Sequence, residues 1–261
     1  MNETLELIHQ RQSLRSYSDR PVDRETVDTI IKATMRAPTA GNLMLYSIIE
    51  VDDPATKEKL AKSCDNQPFI ARAPLVLVFL ADYQRWMDVF LASAVPTLCD
   101  ARGEAMRWPA EGDLMLACCD ALIAAQTAVI TAESLGLGSC YIGDIMEQYE
   151  YHRDLFNLPR HTFPITMVCF GYPRPDRADR PRTSRFPQGC IHFKGQYRHL
   201  GQDELLDMVE SRRRGAYVNG AVNVGQQVYL RKFSAEFTTE MTRSVREAMC
   251  NWVAAGDVDN A

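Results

Sequence analysis

The chain has 261 residues, a formal net charge of −5, 46% hydrophobic and 24% charged residues. Such a length buries a substantial core as one large domain or two small ones, and such acidity argues against the concentrated cationic surface that nucleic-acid binding needs. No apolar run reads as long enough to span a membrane, and the opening "MNETLELIHQ" is acidic and amphipathic, unlike a signal peptide. A cytoplasmic protein with no nucleic-acid or membrane partner is therefore expected.

In chain order, residues 3–11 read as a first helix, with Leu5, Leu7 and Ile8 at helical spacing and Asn2 or Thr4 as the cap. "PVDRETVDTIIKATMRAP" reads as a second helix, capped by Asp23, striped by Val27, Ile30, Ile31, Thr34 and Met35, and stopped by Pro38. "YSIIEV" (46–51) is a short β-branched strand, followed by a turn at "DDP" and a short helix in "KEKLAKSC". "PLVLVFLAD" (74–82) is a nearly continuous apolar run opened by proline, the pattern of a strand covered on both faces.

Residues 84–112, with Trp86, Trp108, Pro96 and Pro109, read as a partly helical excursion that covers a site. "GDLMLACCDALIAAQTAVITAESLGLG" is the clearest helix. It has one face of Met115, Cys118, Leu122, Val129 and Leu135, and a second of Ala117, Ala121, Ala124, Ala128 and Ala132. A helix apolar nearly all round is expected to be central and buried, with the small face suited to a close subunit contact. "PITMVCFGYP" (164–173) is a second buried strand and "CIHF" a candidate short one. A last helix runs from Ser234 to about Ala254, with Phe237, Met241, Val245, Met249 and Trp252 on one face. Helices interleaved with a few buried strands give an α+β class.

Eight cysteines form no C-x-x-C pair and stand with no histidine pair at ligand spacing, so no metal site is expected. Most read as small buried hydrophobes. The five histidines form no cluster with carboxylates, and no nucleophilic triad stands out. The chemistry is therefore sought in binding rather than in a catalytic dyad.

Four stretches offer binding chemistry. "RQSLRSY" carries Arg11, Ser13 and Arg15, either cations at the negative end of a helix dipole or one side of an anion site. "RAPTAGNLMLYS" (36–47) sets Thr39 and Asn42 around a glycine turn, either a polar connection or a ligand loop at the head of a strand. "SLGLGSCYIGD" (134–144) combines a glycine helix cap at Gly136 with backbone open to a flat ligand, without the dinucleotide fingerprint. "GYPRPDRADRPR" (171–182) is either a solvated arginine loop or a second approach to the same anion.

The ordered motifs R-x-S-x-R-x-Y at 11, A-P-T-A-x-N at 37, S-L-G-L-G-S-x-Y-I-G at 134 and G-Y-P…R-P-R at 171 resemble the FMN-dependent nitroreductase family. Within it, the chain is most similar to the branch of NADPH-dependent, oxygen-insensitive nitroreductases and flavin reductases. The resemblance covers roughly the first 200 residues. It implies an α+β nitroreductase-like fold, a mainly antiparallel central sheet flanked by helices, and an intertwined homodimer with FMN at the interface. NADPH or NADH would deliver hydride, and a small-molecule electron acceptor would take it in a ping-pong sequence.

Carried over residue by residue, Arg11, Gln12, Ser13 and Arg15 would hold the FMN phosphate, joined by Arg180 and Arg182. Thr39 and Asn42 would meet the ring or ribityl chain and Gln67 the polar side of the flavin. Tyr141, Ile142, Gly143 and Asp144 would lie along the ring. Met44 departs from the glutamine that relatives commonly carry at that position. Residues 1–200 would form the FMN-binding domain, with 83–113 as an inserted cover, and 201–261 a helical extension of that domain. Arg212, Arg213 and Arg214 fall where the branch places a basic loop for the nicotinamide cofactor, but the solvated triplet is the preferred reading and they are not counted as site residues. Two alternatives remain: other flavin chemistry on the same scaffold, of dehalogenase or flavin-fragmenting type, and a non-enzymatic redox sensor using Cys118, Cys119 and Cys140.

Overall fold

A four-stranded antiparallel sheet in the order β1-β2-β4-β3 organises the chain, built from β1 (Tyr46–Glu50), β2 (Leu75–Asp82), β3 (Gly138–Ile142) and β4 (Thr162–Gly171). The computed structural model describes residues 2–174, 182–210, 213 and 215–254. Every residue of β2 is buried, as its unbroken apolar run requires. Its side chains alternate between two cores. Val76, Val78 and Leu80 pack with Leu60, Ala61, Cys64, Phe69 and Ile70 of α3 (Pro54–Ser63) and α4 (Pro68–Ala71). Leu75, Leu77 and Phe79 face the other way, against α2 (Arg24–Thr34) and α7 (Glu111–Ser134).

The helix ends follow from sequence chemistry. Asn2 caps α1 (Glu3–Gln10) by accepting from Leu5 N, and Asp23 caps α2 by accepting from Thr26 N. "DDP" is not a free turn: Asp53 caps α3, and Pro54 takes the first helical position, where no N–H is needed. Val27, Ile30 and Thr34 of the α2 stripe are buried, while Met35 lies beyond the helix and is 52% exposed. Gly136, at φ 82°, follows the end of α7 as expected.

The expectation for α7 is half inverted. Its small face packs inward, with Ala117, Ala121, Ala124, Ala128 and Ala132 all fully buried, because a row of methyls lets the helix approach the sheet closely. The bulky face is split: Met115, Leu122 and Leu135 are 65%, 42% and 40% exposed, while Val129 is fully buried. α7 is also long and apolar enough to cross a membrane by composition alone, contrary to the expectation that no such run exists. Its packing on β1, β2 and β4 and its buried Asp113 and Asp120 are those of a core helix.

The 84–112 excursion is largely helical: α5 (Gln84–Ala92) and α6 (Val95–Arg102), then an extended run into α7. β3 escaped the sequence reading because it begins with glycine, has glycines at 136 and 143 beside it, and is only five residues long. "CIHF" forms no strand: Gln188–Cys190 is a short 3-10 turn, and the residues after it leave the sheet alone.

The chain divides into two compact units, residues 1–179 with 241–261 and residues 180–240. The second contains α9 (Gln202–Glu210), α10 (Val224–Val228) and a π-turn over Tyr229–Phe233. The last helix, α11 (Glu236–Val253), buries Ser244, Ala248 and Trp252 from its part in the first unit, with Val245 and Met249 beside them. This edge is rotated from the expected stripe because buried Ser244 serves α8 (Tyr149–Leu155). Its Oγ accepts from Tyr149 N at 2.8 Å and donates to Met146 O at 2.7 Å.

His161 sits between two of the tryptophans, stacked on Trp108 at 6.3 Å and edge-on to Trp252 at 5.5 Å. Burial, helped by Arg160, lowers its pKa to about 4. The unfolded chain protonates this imidazole near its ordinary value of about 6.5, whereas the folded chain resists until about 4. Stability is therefore full above pH 6.5 and falls as the pH drops through that window, by on the order of 1–3 kcal/mol from this group. Denaturant midpoints between pH 7.5 and 4.5 should show that fall, and His161→Gln should flatten it.

Candidate functional site

α1 stops at Gln10, and the chain continues as an extended strap. Arg11 and Arg15 therefore do not share a helix face; the strap carries them on straight backbone. It docks on the edge strand β3 through a parallel bridge between Ser13 and Ser139, with Leu14 N donating to Ser139 O at 2.8 Å. Further on, Tyr17 bridges Pro173 and Ser18 N donates to Tyr172 O at 2.9 Å. Arg174 Nε donates to Tyr17 O at 2.9 Å, so the loop after β4 starts pinned to the strap. Three of the four stretches thus meet, although they are far apart in sequence.

Strap and strand fit so closely that β3 must begin with glycine. A Cβ at Gly138 would lie 2.5 Å from Leu14 Cδ2 and 2.8 Å from Leu14 Cβ. Gly138→Ala should lift the strap, cost about 1–3 kcal/mol in overpacking, and loosen whatever the strap holds. Unfolding curves measured with and without added FMN check both effects.

Arg11 is gripped from behind. Its Nη2 donates to Ser139 Oγ at 3.3 Å, Ser139 Oγ donates to Glu133 Oε1 at 2.6 Å, and Arg11 Nε lies 3.3 Å from the same carboxylate oxygen. Burial raises the Glu133 pKa, against the opposing pull of Ser139 and Arg11. Arg11 Nε is buried and pairs with the Glu133 carboxylate as an ion pair, without hydrogen-bond alignment. Ser13 and Arg15 are exposed, and Arg15 lies 5.8 Å from the Phe69 ring centroid.

Phe69 leads to the next group. Gln67, immediately before α4, donates from Nε2 to Asp144 Oδ2 at 2.7 Å and to Cys64 O at 2.9 Å. Asp144 follows Tyr141, Ile142 and Gly143 at the end of β3, where Gly143 is exposed and Ile142 is buried. Tyr141 OH donates to Gln126 Oε1 of α7 at 3.2 Å, and burial pushes the phenol up to about 12. The strap, Gln67 and residues 141–144 thus lie along one edge of the sheet. That arrangement fits a long ligand with an anionic end and a flat polar end.

The turn with Thr39 and Asn42 is held on another side, by Asp120 of α7, and no hydrogen bond among the described residues joins it to Gln67 or Asp144. Arg180 lies outside the described residues, and exposed Arg182 belongs to the second unit. The sequence reading missed Glu133 and Ser139, which brace Arg11. Ser139 lies within the glycine motif and Glu133 just before it, the one signal either residue gave. Among the described residues no His, Cys, Asp and Glu cluster suits a metal. Burial raises Cys118 to about 12 and lifts Cys140 as well, the opposite of a reactive thiolate.

The nitroreductase family profile matches residues 8–172, and the chain belongs to that family. It is 32% identical over 225 residues to an FMN reductase [NAD(P)H] of Bacillus subtilis, covering 85% of this chain and 86% of that protein. It is 30% identical over 230 residues to an oxygen-insensitive NADPH nitroreductase of Salmonella typhimurium, covering 88% of each. Among solved structures, nitroreductase A from Vibrio parahaemolyticus superposes with a TM-score of 0.79 at 25% identity, over 95% of this chain and 98% of that one. The nitroreductase-like α+β fold and its antiparallel sheet are as expected.

Proposed function

We propose that this chain is an FMN-dependent NAD(P)H oxidoreductase that reduces nitroaromatics, quinones or free flavin. The observation that carries the reading is the strap of Arg11, Ser13 and Arg15 docked on β3, in line with Gln67 and Asp144. The names of the relatives, FMN reductase and NADPH nitroreductase, support the same chemistry.

Bound FMN would supply the redox chemistry, accepting hydride at its ring and passing it on. The chain's own residues bind and orient. Arg11, braced by Glu133 and Ser139, joins Gln12, Ser13 and Arg15 on the phosphate, where charge-assisted bonds are strongest. Gln67, fixed by Asp144, addresses the polar side of the ring, and the backbone of Tyr141, Ile142, Gly143 and Asp144 lies along it. Thr39 and Asn42 complete the ring contacts. No side-chain acid or base is needed, in keeping with the absence of a dyad in the sequence.

A homodimer is part of this reading. The outward face of α7, with Met115, Leu116, Leu122 and Ile123 all at least 40% exposed, is the apolar surface such an assembly would cover. Residues 1–200 would act as the FMN domain, with 201–261 as its extension, in a cytoplasmic enzyme.

Steady-state assays test the activity: NADPH and NADH oxidation with nitrofurazone, a quinone and free FMN as acceptors. Turnover that depends on added FMN supports the reading. A protein that binds FMN but reduces none of the three contradicts it.

A further inference from the structure

The turn from Thr39 to Leu45 carries two of the proposed ring contacts on a strained backbone. Gly41, Asn42 and Met44 have φ of 56°, 58° and 51°. Glycine and asparagine tolerate that region, but at Met44 it costs on the order of 1–3 kcal/mol and persists only where the surroundings impose it. Those surroundings are on both sides of the turn.

From α7, Asp120 is 2% exposed and grips both ends: Ala40 N donates to Oδ1 at 3.0 Å and Leu45 N to Oδ2 at 3.1 Å. From α5, Trp86 Nε1 donates to Leu43 O at 2.8 Å and Arg85 Nη1 to Met44 O at 3.1 Å. Within the turn, Met44 N donates to Thr39 Oγ1 at 3.2 Å. Every residue from Thr39 to Leu45 except Gly41 and Asn42 therefore has a backbone or side-chain group tied down by one of these bonds. Gly41 and Asn42 form the tip, where Asn42 N donates within the turn to Thr39 O at 3.3 Å and the proposed ligand contact falls.

We propose that Asp120 and Trp86 are positioning residues, which splint the 39–45 turn and thereby fix Thr39 and Asn42 in the geometry that the flavin meets. The inference rests on the FMN reading. It gives the 84–112 excursion a second role besides cover, since its first helix supplies half of the splint. Neither residue touches the ligand; both act through the backbone of the turn.

The test titrates FMN into wild type, Asp120→Asn and Trp86→Phe, and follows single-turnover reduction of the bound flavin by NADPH at saturating FMN. Asparagine keeps one acceptor but turns an N–H₂ toward the other backbone donor, and phenylalanine keeps the ring but loses the donor. FMN affinity should fall about tenfold in Asp120→Asn and about threefold in Trp86→Phe. The reduction step should slow, and the visible circular dichroism of bound flavin should change. Adding Met44→Gly to Asp120→Asn removes the backbone strain and should restore part of the lost affinity, a rescue that general loosening of the fold would not give.

Wild-type affinity and reduction rate in both single variants overturn the positioning role, as does a drop in thermal midpoint with the flavin signals unmoved. Failure of wild type itself to bind FMN overturns the functional reading and this inference together.

Discussion

Arg15→Ala weakens FMN retention by roughly 10- to 100-fold, the loss expected when a charge-assisted hydrogen bond worth about 1.5–3 kcal/mol disappears, while Arg20→Ala leaves it unchanged. The two arginines are five residues apart on the same strap, so the contrast isolates position rather than charge. Arg15 is exposed beside Phe69, one helix start away from Gln67. Arg20 is committed elsewhere: its guanidinium lies 3.7 Å from the centroid of the Tyr172 ring. Removing Arg20 forfeits that cation–π contact, about 0.5–1 kcal/mol of stability at an exposed site, with no ligand consequence. Equilibrium dialysis or fluorescence titration of FMN measures both variants. Equal losses would reduce the strap to a helix end dressed with cations.

Trp252→Ala should destabilise the first unit by about 3–5 kcal/mol, the usual cost of emptying a buried indole site. Trp252 is 1% exposed and is the largest fully buried side chain. Its neighbours Tyr149, Phe163, Leu114 and Ala248 come from α8, β4, α7 and α11, so the cavity would open where four elements meet. The hydrogen bonds of Ser244 to Met146 and Tyr149 share the same helix and would weaken with it. Urea unfolding should show a lower midpoint at an unchanged slope. Arg243→Ala, which breaks an exposed pair with Glu150 nearby, serves as a mild comparison.

Much of the first unit was legible because its signals are local. A proline-opened apolar run gave β2, and Asp23 and Asn2 marked helix starts that the structure places where expected. β3 was not legible: glycine-flanked and five residues long, it is defined by pairing with β4 rather than by its own pattern. α7 shows a different limit. Its composition said buried but not which face, and the choice of the alanine face depends on how closely a helix can approach a sheet.

The proposed binding residues divide in the same way. The family resemblance picked out Arg11, Ser13, Gln67 and Asp144. Only geometry reveals that Glu133 and Ser139 brace Arg11, or that Asp120, eighty residues on, ties down Ala40. Bracing residues contact backbone or another side chain, so no motif chemistry announces them.

The central claim is that the edge formed by the strap, Gln67 and residues 141–144 holds FMN. The absorbance spectrum of the purified protein after FMN addition and desalting tests it most directly. The account predicts retained flavin bands at close to equimolar FMN. A colourless protein, with all the flavin in the wash, would contradict it.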